Sequence, residues 1–190
     1  MTPARPTQQS LRSDAERNRD RLLDAARGAF RELGAQAPMV EIARRAGVAS
    51  ATLYRRFPTR ESLVAEVFAG RLTSCEDSVR AALQNPDAWK GLTDHIHYLT
   101  TLQAEDRAFT AVFLYAFPED SPVAESRRDA GDALRALLTA AKTAGQLRAD
   151  VAEGDLMSLL MANDGILRWS PDPSHDSARL IDQLLRAWRS

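Results

Sequence analysis

The chain has 190 residues, 44% hydrophobic and 27% charged, which is enough to bury a core without disulfides or metals. Its single cysteine, Cys75, excludes an intrachain disulfide, and no apolar run approaches the ~18–20 residues that span a bilayer. The net charge of −1 hides an asymmetry: residues 1–60 carry 12 Arg against 6 acidic groups, whereas residues 61–190 carry 13 basic and 20 acidic groups. A basic head on an acidic body predicts that only the head meets a polyanion. The lone cysteine and the lack of an apolar signal core at the N-terminus predict a cytoplasmic protein.

Strand signals are nearly absent, and apolar residues recur at spacings of three and four, which predicts an all-α protein of about nine helices. Residues 1–13 have no periodicity and read as a mobile arm. The first helix is expected from Asp14 to Leu33, with Leu22, Leu23, Ala26, Phe30 and Leu33 on one stripe. A second starts near Pro38 as its first helical residue and runs to Ala46, with Met39, Ile42 and Ala43 inward. Gly47 permits a sharp turn. A third covers Ser50 to Phe57 and ends before Pro58. Thr59 caps a long fourth helix reaching toward Leu83. Further helices are expected at about 87–104, 106–117, 122–144, 153–169 and 174–188. No internal repeat or flexible linker is visible, so the fourth helix joins head to body directly.

Two short helices hinged at a glycine pack at a steep angle. In IARRAGVASATLYRRF, from Ile42 to Phe57, the residues Ile42, Ala43, Val48 and Leu53 supply a small core. Ser50, Ala51, Thr52, Tyr54, Arg55 and Arg56 are left for the outer face. Short residues at its start let a helix approach a DNA groove, hydroxyls reach phosphates, and Arg binds phosphates or guanine edges. Thr59 and Arg60 bring the next helix start beside a second phosphate. A packing role for Tyr54 and a solvated face for Arg55 and Arg56 are the alternatives. Arg12, Arg17 and Arg19 reach an adjacent groove or belong to a basic tail.

The segments RDRLLDAARGAFRELG (Arg19–Gly34), IARRAGV (Ile42–Val48) and TLYRRFPTRESL (Thr52–Leu63) resemble the TetR family of bacterial transcriptional regulators. The resemblance implies a three-helix helix-turn-helix DNA-binding domain at 14–60 and a helical effector-binding and dimerisation domain at 61–190. It implies a non-enzymatic repressor, a homodimer released from a palindromic operator by a small effector. The candidate DNA-contacting residues are Pro38, Arg44, Arg45, Ser50, Ala51, Thr52, Tyr54, Arg55, Arg56, Thr59 and Arg60. Two departures from the family pattern stand out: Ala37 and Ala49 occupy places where Thr or Ser is usual.

By the same resemblance the last two helices form the dimer surface, through Leu156, Leu160, Leu167, Leu180, Leu184 and Trp188. The alternative is that both stripes finish a monomer core. Two such subunits present recognition helices to half-sites roughly 34–36 Å apart. Candidate effector contacts are Trp89, His95, Tyr98, Phe109, Phe113, Phe117, Met161 and Asn163, whose apolar character favours a hydrophobic or aromatic effector. A cavity of ~300 Å³ or more favours such a sensor, whereas a fully packed body favours a regulator working through a protein partner alone. Asp94 and His97 lack a third neighbouring ligand, so no metal is expected. No catalytic motif and no cofactor site is apparent.

Overall fold

A computed structural model describes residues 8–113 and 122–190. Its helices are α1 (Gln8–Leu33), α2 (Met39–Ala46), α3 (Ser50–Arg56), α4 (Arg60–Leu83), α5 (Ala88–Glu105), α6 (Arg107–Phe113), α7 (Pro122–Thr143), α8 (Glu153–Trp169) and α9 (Pro173–Trp188). A 3-10 turn follows α1 at Gly34–Gln36. One antiparallel bridge, Leu147 to Arg189, closes the end of α9 on the α7–α8 connection. No helix among the described residues is long and apolar enough to cross a membrane.

Two boundaries correct the sequence reading, and a third lies beyond the described residues. First, α1 begins at Gln8, so residues 8–13 of the expected arm are helical. No Gly or Pro lies between Gln8 and Arg27 to stop the helix earlier. Residues 1–7 lie outside the described residues. Second, Pro38 is the N-cap of α2, not its first turn, with φ −63° and ψ 132°. Third, α6 is described only to Phe113, so the expected continuation to Phe117 lies outside the described residues.

Leu22, Ala26, Phe30, Ile42, Ala43, Leu53 and Phe57 form the buried centre of the head. The first half of α4 completes it with Leu63, Val64 and Phe68, and the second half carries Cys75, Val79 and Ala82 into the body. Head and body therefore share one continuous apolar core. Along α5, Gly91 meets α4 so closely that an added Cβ would lie 2.4 Å from the Ala82 carbonyl oxygen. That contact sets how tightly α5 lies on α4.

A second head–body link runs through α6, which packs on α1. Asp106, 6% exposed, accepts from Arg27 of α1 at 2.7 Å and from Arg71 of α4 at 3.4 Å. It also caps α6 by accepting from the Phe109 N–H at 3.0 Å. Rings follow the same path: Phe30–Phe68, Phe68–Phe109 and Phe109–Phe113 centroids are 5.9, 5.6 and 5.4 Å apart. Such offset rings add to the burial energy and transmit displacement between packed elements.

Candidate nucleic-acid interface and effector cavity

The turn between α2 and α3 is built by backbone hydrogen bonds. Gly47 sits at φ 68° and ψ 32°, a left-handed conformation that costs glycine little. Its N–H donates to the Arg44 carbonyl, and the Val48 N–H donates to the Ala43 carbonyl at 3.0 Å. This pairing satisfies the last carbonyls of α2 and starts α3 at once. Leu53, fully buried, turns the rest of α3 outward.

On that outer side, Ala51, Tyr54, Arg55 and Arg56 are exposed, and Ser50 and Thr52 are half-buried. Arg56 lies over the Phe57 ring at 5.9 Å. Neither Arg55 nor Arg56 has an acidic partner among the described residues. Tyr54 is 46% exposed and is not a core tyrosine. Thr52, Arg55 and Arg56 share an open recess with Asn18 and Arg19 of α1. The N-caps of α2 and α3 are Pro38 and Ala49, and neither supplies a side-chain cap. The missing hydroxyl at the start of α2 therefore belongs to position 38; Ala37 is buried beneath it.

Several other head cations are already engaged. Glu41 accepts from Arg44 at 2.7 Å and from Arg45 at 2.8 Å, and Arg45 also pairs with Glu32. Hydrogen bonds from Arg44 and then Arg45 hold the Glu41 carboxyl down to about 2. Arg19 pairs with Glu66 of α4, so it braces the head instead of extending from a free tail. One Arg60 nitrogen, Nη1, donates to the carbonyls of Ala35 at 2.9 Å and Ala37 at 2.5 Å. Arg60 thus pins the α1–α2 connection to α4, and its Nε and Nη2 have no partner among the described residues. Thr59 caps α4: its Oγ1 accepts from the Ser62 N–H at 3.1 Å, and its own N–H donates to Ser62 Oγ at 3.3 Å.

In the body, α4, α5, α6, α7 and α8 line a cavity of about 110 Å³ whose walls include His95, Leu99, Phe113, Leu134, Leu156 and Leu160. Of the proposed effector residues, His95 and Phe113 line it, and Phe109 borders a much smaller void beside it. Trp89, Tyr98, Met161 and Asn163 do not line it. Trp89 packs at the far end of α5, where Arg189 lies 5.6 Å over its ring. Tyr98 is half-buried against the core. Met161 is 54% exposed on α8. Phe117 lies outside the described residues.

Asn163 is fully buried but spent on packing. Its Nδ2 donates to Gln103 Oε1 at 2.8 Å, and Ser177 donates to its Oδ1 at 2.6 Å. Sequence reasoning missed Cys75 and Leu160 as cavity walls, because they come from different helices and carry no local signal. Burial pushes the Cys75 thiol up to about 11, which makes it a poor nucleophile.

The proposed dimer residues also divide. Leu156, Leu160 and Trp188 are buried within their own chain, at 4%, 3% and 8% exposure, and so are not available to a partner. Helical periodicity marks an apolar stripe without saying whether it packs inside the chain or across two. Leu167, Leu180 and Leu184 are half-buried. The outward side of α8 instead presents Met161, Ala162 and, at 85% exposure, Trp169. No group of three or more potential metal ligands occurs among the described residues.

Residues 22–67 match the family model for bacterial regulatory proteins of the tetR family. Residues 87–187 match the model for the C-terminal domain of SbtR-like transcriptional regulators. Among solved structures, the TetR transcriptional regulator SCO0520 from Streptomyces coelicolor is 32% identical, with 90% of this chain and 98% of that one covered and a TM-score of 0.53. A TetR transcription regulatory protein from Mycobacterium vanbaalenii is 30% identical over 95% and 99% of the two chains, with a TM-score of 0.50. The ketosteroid transcriptional regulator KstR2 of Mycobacterium tuberculosis, 18% identical over 90% and 95%, shares the fold at a TM-score of 0.65. No curated protein sequence matches the chain.

Proposed function

The chain belongs to the TetR family of bacterial transcriptional regulators, and on that premise we propose that it is a homodimeric repressor released from a palindromic operator by a small, largely apolar effector. One observation carries the reading: α3 presents Tyr54, Arg55 and Arg56 outward, while Arg19, Arg45 and Arg60 are engaged within the fold. In this reading α3 enters the major groove. Thr52, Tyr54 and the free edge of Arg60 hold phosphates, and Arg55 and Arg56 take phosphates or base edges. Residues 14–60 act as the reader and 61–190 as sensor and dimer. The pairing face lies on the outward side of α8 and α9, around Met161 and Trp169.

The effector occupies the cavity beside His95. It releases DNA only if it binds the DNA-incompetent form more tightly. Phe113 in the cavity wall, then Phe109, Phe68 and Phe30, give a packed route from the effector to α1. The Arg27–Asp106 pair runs alongside it.

One observation favours a second reading, a regulator that acts through a protein partner without an effector. The cavity of about 110 Å³ is below the ~300 Å³ at the lower end of ligand pockets. It still compares with the ~150 Å³ void that takes up benzene.

Selection of bound sequences from random DNA tests the reader and the dimer together. A palindrome with half-sites about one helical turn apart is the expected result. A single unpaired half-site would contradict the dimeric reader. Operator affinity measured with candidate small molecules then separates the two readings.

A further inference from the structure

We infer that the cavity between α4, α5, α6, α7 and α8 selects an uncharged, benzene-sized molecule carrying one hydrogen-bond-accepting oxygen of the carbonyl type, with His95 Nε2–H as the donor. This deepens the effector reading above and rests on it. The argument begins with the imidazole. His95 is 6% exposed, and its Nδ1 lies 2.9 Å from Ser78 Oγ on α4. Nε2 has no hydrogen-bond partner among the described residues. Every fully buried side-chain nitrogen or oxygen among them does have one. Nε2 is therefore not sealed into the packing. Because His95 lines the cavity, this is where the atom opens.

The contact with Ser78 sets what Nε2 offers. In the inferred arrangement the Ser78 hydroxyl, which has no other protein acceptor among the described residues, donates to Nδ1. A neutral imidazole that accepts at Nδ1 carries its own proton on Nε2. Burial holds this ring neutral by lowering its pKa to about 4. The cavity thus contains a neutral imidazole donor, oriented by a second residue, among mostly apolar side chains and beside the charged Arg127 and Glu153. A ligand oxygen that accepts this bond fits the site.

Charge selection follows from the remaining lining. Arg127 and Glu153 are its two charged members, of opposite sign. Glu153 accepts from Arg135 at 2.6 Å, and the Arg127 guanidinium lies 5.8 Å over the Phe113 ring. Arg127 and Arg135 balance Glu153 and Asp132, so this group carries no net charge beside the neutral imidazole, and a charged ligand would have to displace one of its existing contacts.

The test uses the full chain and three probes of similar size: cyclopentanone, cyclopentane and cyclopropanecarboxylate. Dissociation constants come from NMR titration, and the His95 protonation pattern comes from long-range ¹H–¹⁵N spectra. The expected result is a ketone affinity about tenfold above that of the hydrocarbon, the value of one neutral hydrogen bond. The carboxylate should be weaker than both. Adding ketone should shift the protonated Nε2 resonance.

His95→Phe should erase the ketone preference and keep hydrocarbon binding. Ser78→Ala leaves the ring in place and should reduce the preference by releasing the tautomer, which provides a test even if His95→Phe fails to fold. Equal ketone and hydrocarbon affinity, an unprotonated Nε2, or binding by no probe overturns the inference. Preferred ketone binding with unchanged operator affinity upholds the site chemistry and overturns only the effector reading.

Discussion

The head and the body of this chain handle polar groups in opposite ways. In the head, α3 turns Tyr54, Arg55 and Arg56 into solvent, and nearby pairs such as Glu41–Arg44 and Glu41–Arg45 lie on the surface. In the body, the informative polar groups face inward and bind one another: Asn163 with Gln103 and Ser177, Asp106 with Arg27 and Arg71, His95 with Ser78. The difference separates recognition from construction. An outward cation without a partner contributes little to folding and is available to a phosphate. An inward polar group must be paired, so it contributes to stability and to the uniqueness of the packing. His95 Nε2 is the exception in the body, a donor without a partner beside a cavity.

Substitutions should divide along the same line, and the largest effects belong to the body. Asn163→Ala leaves Gln103 Oε1 without its donor and Ser177 without its acceptor. It should lower unfolding free energy by about 2–6 kcal/mol, from two orphaned groups at about 1–3 each. Urea denaturation followed by circular dichroism measures this, and a loss below about 1 kcal/mol would break the contrast drawn here.

The next effect depends on pH. Burial lowers the folded His95 pKa from 6.5 to about 4. The unfolded chain therefore takes up a proton first as pH falls. Stability should be unaffected by this group above about 6.5 and should decline between there and about 4, by up to about 3 kcal/mol. His95→Phe should remove that part of the decline. Identical pH profiles for the two proteins would mean the ring is not desolvated.

Arg55→Ala should reverse the pattern, weakening operator binding about tenfold or more with no loss of thermal stability. Its affinity should also depend less steeply on salt, because fewer counterions are released. A fall in melting temperature with DNA affinity intact would place Arg55 on the wrong side of the comparison.

The smallest effect tests a residue that belongs to both sides. Arg60 donates to the Ala35 and Ala37 carbonyls, so Arg60→Ala should cost about 1–2 kcal/mol of stability. A parallel loss of DNA affinity would come from its free edge. Differential scanning calorimetry and a binding titration on one sample separate the two contributions.

Much of the head was legible in the sequence, because its determinants are local. The stripe Leu22–Ala26–Phe30, the Gly47 turn and the Thr59 cap are each set by residues three to five apart. Those spacings fix which backbone groups can meet. The amphipathic stripe of α8 was equally legible, and so were the bounds of α4 and α8. Other features only the tertiary structure decided. Leu156 and Leu160 turned inward instead of toward a partner, Asn163 joined a buried network, and His95 and Phe113 came to line one cavity walled by five helices. Each of these depends on the separation and crossing of helices distant in sequence, as at the close approach of Gly91 to Ala82. Periodicity specifies a face; only packing decides what that face meets.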